Sequence, residues 1–323
     1  NVDPMKADAA PVGVDPMKAA PNNHPARPIP TSSPASVGQA TDNQPPIPPR
    51  DPKQGARGAA AALAAAEFAA AKREIQAALA AGRFVEALRK SSTWYHWDGP
   101  SRVPPQEREW HQGLLSQLAG TVVYSRRHFL EEPYQVQHGD TLRQIAQRFQ
   151  VPSRLLANIN GISDAGPLRL GQSLKVIRGP LDAYLSLNQS RLALRLGDLY
   201  AGVFDIGIGR DFNAPPGESV VQLKLRNPAY RGLDATIGAD APNNPLGEHW
   251  IDLGGPYGIH GANGEFTAGR SAARGYIRMR NQDVAQLYDI LSIGSRVVIG
   301  NHRPDEVAPG VAERTGSANP RPR

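Results

Sequence analysis

The chain has 323 residues, a formal net charge of +6 and no cysteine. That length suits two or three small domains. The missing cysteines exclude disulfides, thiolate metal sites and any thiol nucleophile, and no apolar run reaches the ~20 residues of a membrane helix, so no membrane span is expected in this sequence.

The first residue is Asn1 rather than Met, as expected of a processed precursor or a trimmed chain; any leader or anchor would lie outside this sequence. The charge is uneven. Residues 133–178 carry six Lys/Arg against two Asp/Glu, whereas 179–302 carry eleven against twelve. A positive field confined to one small module favours an anionic polymer. No nucleic-acid motif with interleaved aromatics accompanies it, so nucleic acid is not the expected partner.

Residues 1–57 hold thirteen prolines and few bulky apolar side chains, the composition of a disordered Pro-rich tail or linker. VDPMKA occurs at Val2–Ala7 and again at Val14–Ala19, too few copies for a solenoid. An α-helical domain is expected over 58–132. Ala59–Ala81 is alanine-rich, with Leu63, Phe68, Ile75 and Leu79 at roughly helical spacing, and Gly82 ends it. A second helix starts at Phe84. Pro104-Pro105 opens a third, carrying Glu107, Trp110, Leu114, Leu115 and Leu118. Trp94, Tyr95, His96 and Trp97 read either as a sugar-stacking platform or, the favoured reading, as rings closing a small helical core.

Residues 133–178 read strand, helix, helix, strand. Tyr134–Gln137 alternates as a strand does. Asp140-Thr141-Leu142 caps a helix carrying Ile145, Ala146 and Phe149. Pro152-Ser153 starts another through Leu155, Leu156 and Ile159, and Leu168–Val176 leads into a closing strand. The Tyr, Val, Gly-Asp-Thr-Leu, Ile-Ala and Phe pattern, then the Leu-x-x-Gly-Gln-x-Leu-x-Val of Leu168–Val176, resembles the lysin motif (LysM) across the module. The resemblance implies a βααβ fold that binds N-acetylglucosamine-containing glycans such as peptidoglycan or chitin. It also implies a groove between Gly139, Asp140, Thr141 and Leu142 on one side and the loop Gly161–Leu168, with Ile162, on the other. For Asp140 and Thr141, helix capping is favoured over direct sugar contact.

Residues 180–302 read as short strands: Ala183–Leu187, Arg191–Leu196, Tyr200–Gly209, Val220–Leu225 and Arg296–Ile299. One helix, Gln282–Leu291, is expected, capped by Asn281 and ended by Gly294. Residues 303–323 read as a second disordered tail. The fold class is therefore multidomain α+β: disordered tail, α-helical domain, βααβ module and a mostly-β domain.

The stretch Pro256–Met279, PYGIHGANGEFTAGRSAARGYIRM, carries the candidate chemistry. Together with Pro215-Pro216-Gly217, Asn227-Pro228-Ala229-Tyr230 and Asn244-Pro245-Leu246-Gly247, it resembles the L,D-transpeptidases. In that family Ile-His-Gly is followed, at a set distance, by Ser-His-Gly-Cys-Ile-Arg-Met. His260 falls on the first histidine, and Ala273, Arg274, Gly275 and Tyr276 fall on Ser, His, Gly and Cys. The resemblance implies that His260 is the base, that Gly261 helps to orient its ring, and that Gly275 and Arg278 shape the acyl site and its oxyanion donors. The nucleophile is replaced. A thiol is partly ionised at neutral pH and strongly nucleophilic, whereas a phenol titrates near ~10 and is poorly activated by imidazole. His260 is then either a structural or a ligand-binding histidine. Arg274 either pairs a stem-peptide carboxylate or is a solvated surface arginine.

These readings imply an exported cell-envelope protein, in the periplasm or cell wall, whose partner is peptidoglycan through its glycan and stem peptide. Its expected role is a catalytically degenerate wall-binding scaffold or regulator. The alternative is an active peptidoglycan enzyme that uses a non-cysteine nucleophile or pairs with an active paralogue. Neither metal nor cofactor is expected.

Overall fold

The computed structural model describes residues 52–96, 101–209, 212, 216–231, 235–261, 266–271 and 276–300. The two tails, Trp97, Ala273, Arg274 and Gly275 lie outside the described residues.

Helix α1 (Pro52–Ala80) turns at Gly82 into α2 (Phe84–Ser92). A 3-10 turn at Pro105–Glu107 then leads into α3 (Arg108–Ala119), which ends in a π-helical turn, Gly120–Tyr124. Phe68, Ile75 and Ala78 are buried, but Leu63 is exposed. Five residues of helix place Leu63 about 140° round from Phe68, which removes it from the packed stripe. Trp94, His111 and Trp110 stand edge-on to Phe68 at 5.1, 5.8 and 6.3 Å, and Arg102 lies over the Trp94 ring. These rings therefore close the helical core.

The next module pairs β1 (Tyr134–Gln135) antiparallel with β2 (Ser173–Leu174) and packs α4 (Leu142–Arg148) on α5 (Ser153–Asn160). Thr141 and Gln144 form a reciprocal capping box at the start of α4. Leu142, Ile145, Leu155, Leu156 and Ile159 are buried at the helical period.

The C-terminal part is built on two main sheets. One has the order β5-β4-β3-β15-β7, from β3 (Asp182–Ser186), β4 (Arg191–Leu196), β5 (Leu199–Asp205), β7 (Gly217–Val220) and β15 (Arg296–Ile299). The other has the order β13-β6-β14-β12-β11-β8, from β6 (Gly207–Gly209), β8 (Leu223–Arg226), β11 (His249–Gly254), β12 (Tyr257–Gly261), β13 (Gly269–Ser271) and β14 (Ile277–Met279). A small ribbon pairs β9 (Tyr230–Arg231) with β10 (Thr236–Ile237). Two expected strands are each divided between the sheets. The chain leaves β5 at Ile206 to enter β6, and passes from β7 to β8 at Val221-Gln222.

Helix α6 (Asn281–Ile290) lies against β11 and β12. Asn281 is inside the helix, with Arg280 at the cap position, so it is not the capping residue expected from the sequence. Its Oδ1 instead lies against the Gly261 and Gly247 backbone.

The described residues fall in one compact unit with a continuous apolar core from Ile75 to Ile299. Polar contacts join the parts. Lys175 Nζ donates to the Val122 carbonyl at 2.6 Å, Tyr124 OH donates to the Ala201 carbonyl at 2.8 Å, and Asn158 Nδ2 donates to Asp289 at 3.3 Å.

Candidate functional site

The six-stranded sheet sorts its side chains by the two-residue period of a strand. Ile251, Leu253, Ile259, Ile277 and Met279 are buried on the α6 face, with Val284 and Leu287. Trp250, His260, Tyr276 and Arg278 fall on the opposite face. Register makes them neighbours: Trp250 opposes His260 across β11/β12, and His260 opposes Arg278 across the parallel pair β12/β14. The His260 and Trp250 rings are stacked at 6.0 Å. Tyr276 stands edge-on to both, 5.6 Å from His260 and 5.0 Å from Trp250.

Two glycines make room for this arrangement. A Cβ at Gly258 would run into the Trp250 ring, and one at Gly261 would run into Asn281 Oδ1. Asn244 Nδ2 donates to the Pro228 carbonyl at 2.8 Å, and its Oδ1 accepts from Leu246 N at 3.0 Å. That holds the 244–247 turn against Gly261. So the sequence landmarks Asn244–Gly247, Tyr257–Gly261 and Tyr276–Met279 meet in one place.

His260 is 4% exposed. Its Nδ1 donates to the Gly261 carbonyl at 2.5 Å, which leaves Nε2 as the basic nitrogen. Burial pushes its pKa down to about 4, helped by the Arg278 charge and opposed by the Gly261 and Leu246 backbone hydrogen bonds. The ring is therefore a neutral imidazole enclosed by two aromatic side chains. Trp250 was not singled out by sequence reasoning. Its signal was the alternation of His249–Gly254, which turns Ile251 and Leu253 to the core and Trp250 to the His260 face.

Of the residues expected at a glycan groove, Asp140 is the most tightly held. Its carboxylate accepts from Tyr134 OH at 2.7 Å and from Gln137 N at 2.8 Å. Those bonds hold its pKa below the usual carboxylate range. Thr141 is engaged in the capping box, and the Leu142 side chain is 3% exposed, so it belongs to the core rather than to a groove. Gly139 and Gly161 are exposed with positive φ, and Ile162 is half-buried.

The L,D-transpeptidase catalytic-domain profile matches residues 183–299, and the LysM-domain profile matches 134–176. The chain is 34% identical over 175 residues to the candidate L,D-transpeptidase YkuD of Bacillus subtilis, covering 51% of this chain and 97% of that protein. It is 36% identical over 140 residues to a second Bacillus subtilis relative, the candidate L,D-transpeptidase YqjB, covering 40% and 78%. Among solved structures, an L,D-transpeptidase from Mycobacterium smegmatis matches at 14% identity and a TM-score of 0.32, over 40% of this chain and 63% of that one. The chain belongs to the L,D-transpeptidase family and carries a LysM domain ahead of the transpeptidase-type sheets. Among the described residues, no helix is long and apolar enough to cross a membrane, and no group of three or more His, Asp or Glu is placed to hold a metal.

Proposed function

We propose that this protein is a peptidoglycan-binding member of its family that does not run the family's cysteine chemistry, a pseudoenzyme of the bacterial envelope. One observation carries the reading: the phenol of Tyr276, at the position of the family's cysteine, stands beside His260 in a chain without any thiol. A buried imidazole whose pKa is lowered to about 4 is a weak base for the proton of any hydroxyl nucleophile. That proton transfer comes before any carbonyl is attacked. The LysM domain supports wall binding through its glycan, with Gly139, Asp140, Thr141, Gly161 and Ile162 as its groove residues. His260, Gly261, Tyr276 and Arg278 are then the described residues of a stem-peptide site.

The full chain, incubated with a tetrapeptide donor and an amine acceptor, is expected to give no cross-linked product and to keep its unmodified mass. It is likewise expected to stay unmodified by a carbapenem. An acyl adduct on Tyr276 would establish the alternative, a transpeptidase with a phenolic nucleophile. Cross-linking only in the presence of a cysteine-bearing paralogue would favour an accessory role.

A further inference from the structure

We propose that Arg126, outside the LysM domain, is a carboxylate-recognition residue on the rim of the LysM groove, and that it selects peptidoglycan stem peptides over uncharged glycan. The inference rests on the glycan-binding reading above. It starts from Gly161, where α5 ends. Gly161 is the C-cap of that helix with φ +62°, a left-handed conformation suited to glycine. The space beside its Cα is not empty. A Cβ at residue 161 would run into the guanidinium of Arg126, which occupies the volume a side chain there would fill.

Arg126 reaches that place from the segment just after the π-helical turn Gly120–Tyr124, and it precedes the span 134–176 matched by the LysM profile. The preceding residues are fixed. Val122 and Val123 are buried, the Val122 carbonyl accepts from Lys175, and Ser125 Oγ donates to the Thr121 carbonyl at 2.5 Å. The helical domain thus sets an arginine on a LysM loop that has no side chain of its own at that point.

The guanidinium is exposed and makes no hydrogen bond or ion pair with the described residues. Asp164, the acidic residue of the same loop, does not pair with it. Arg127 and His128 follow and are exposed, so nothing acidic is adjacent in sequence. A planar fork lying beside a backbone that carries no side chain, with its donors unused, matches a carboxylate. Chitin offers none. The stem peptides that hang from a peptidoglycan strand do.

The experiment uses the full chain and three solid probes: peptidoglycan sacculi stripped of attached anionic polymers, the same sacculi with their carboxyls amidated, and chitin. Wild type is expected to bind stripped sacculi roughly five- to twentyfold more tightly than amidated ones. Arg126→Gln should bind both sacculi alike, at the amidated level, with chitin binding unchanged. Equal binding of wild type and Arg126→Gln to stripped sacculi overturns the proposal while leaving the LysM reading in place. Retention of wild type on none of the three probes overturns both.

Discussion

Ser92 Oγ, at the end of α2, accepts a hydrogen bond from the backbone N–H of Tyr200 at 2.8 Å, 108 residues away in sequence. Tyr200 lies on β5, the edge of the five-stranded sheet, and an uncovered sheet edge is a template for unwanted pairing. Here the helical domain covers it. Tyr124 OH donates to the next carbonyl, Ala201, and Gln112 donates to Tyr200 OH at 3.0 Å. Ser92→Ala would leave a buried N–H without its partner, a loss of about 1–3 kcal/mol. The expected result in chemical denaturation is a lower midpoint with faster amide exchange along β5. Exchange unchanged at Tyr200 would show that the covering does not depend on this bond.

His260 makes stability fall on the acid side. Its folded pKa of about 4 lies below its ordinary 6.5, because the buried ring resists protonation. As pH drops from 6.5 towards 4 the unfolded chain takes up a proton that the folded chain does not, so stability is lost through that window. The full effect is on the order of 3 kcal/mol. His111 and His249, also lowered by burial, act in the same direction. Denaturation at pH 7 and pH 4.5 should show a smaller acid loss for His260→Gln than for wild type; equal slopes would count against the enclosed imidazole.

Lys175 acts on the alkaline side. Burial lowers its pKa from 10.5 to about 8. Between those values the unfolded chain holds the proton and the folded chain does not, so stability rises with pH from 8 towards 10. Above 10 the sign reverses, because Tyr95, Tyr124 and Tyr200 are raised by burial and the unfolded phenols ionise first. Lys175→Met should flatten the rise between pH 8 and 10. Its gain at pH 7 is limited because the Val122 carbonyl loses its donor.

Thr141 separates capping from sugar contact. Thr141→Ala removes the acceptor for Gln144 N and should lower stability by ~1 kcal/mol. If capping is its whole role, binding to sacculi measured well below the melting temperature should match wild type. A tenfold loss of affinity with an intact fold would make Thr141 a ligand contact.

Parts of this architecture were legible in the sequence because local pattern and final environment agree. Arg191–Leu196 and Arg296–Ile299 are strands at the expected bounds. The helical module around Leu142, Ile145 and Leu156 follows its periodicity. The β11–β12 hairpin was hidden by glycine: Gly254, Gly255 and Gly258 lower strand propensity, yet two make the turn and the third admits the Trp250 ring. His260 and Tyr276 were singled out by the resemblance to the family's motif, and the sheet brings their rings together, but Trp250 emerged only from pairing. The Ser92–Tyr200 and Arg126–Gly161 contacts join positions with no local pattern, and only the folded chain reveals them.

The covered edge of β5 bears on reach. Two binding modules on a loose tether can sample many separations, with the second encounter governed by tether length. Here hydrogen bonds from Lys175 to the Val122 carbonyl and from Asn158 to Asp289 tie the LysM domain to its neighbours in place of a loose tether. If the proposed wall binding holds, such a protein acts as a gauge rather than a leash, engaging its LysM and His260 faces only where glycan and peptide already lie at the matching spacing.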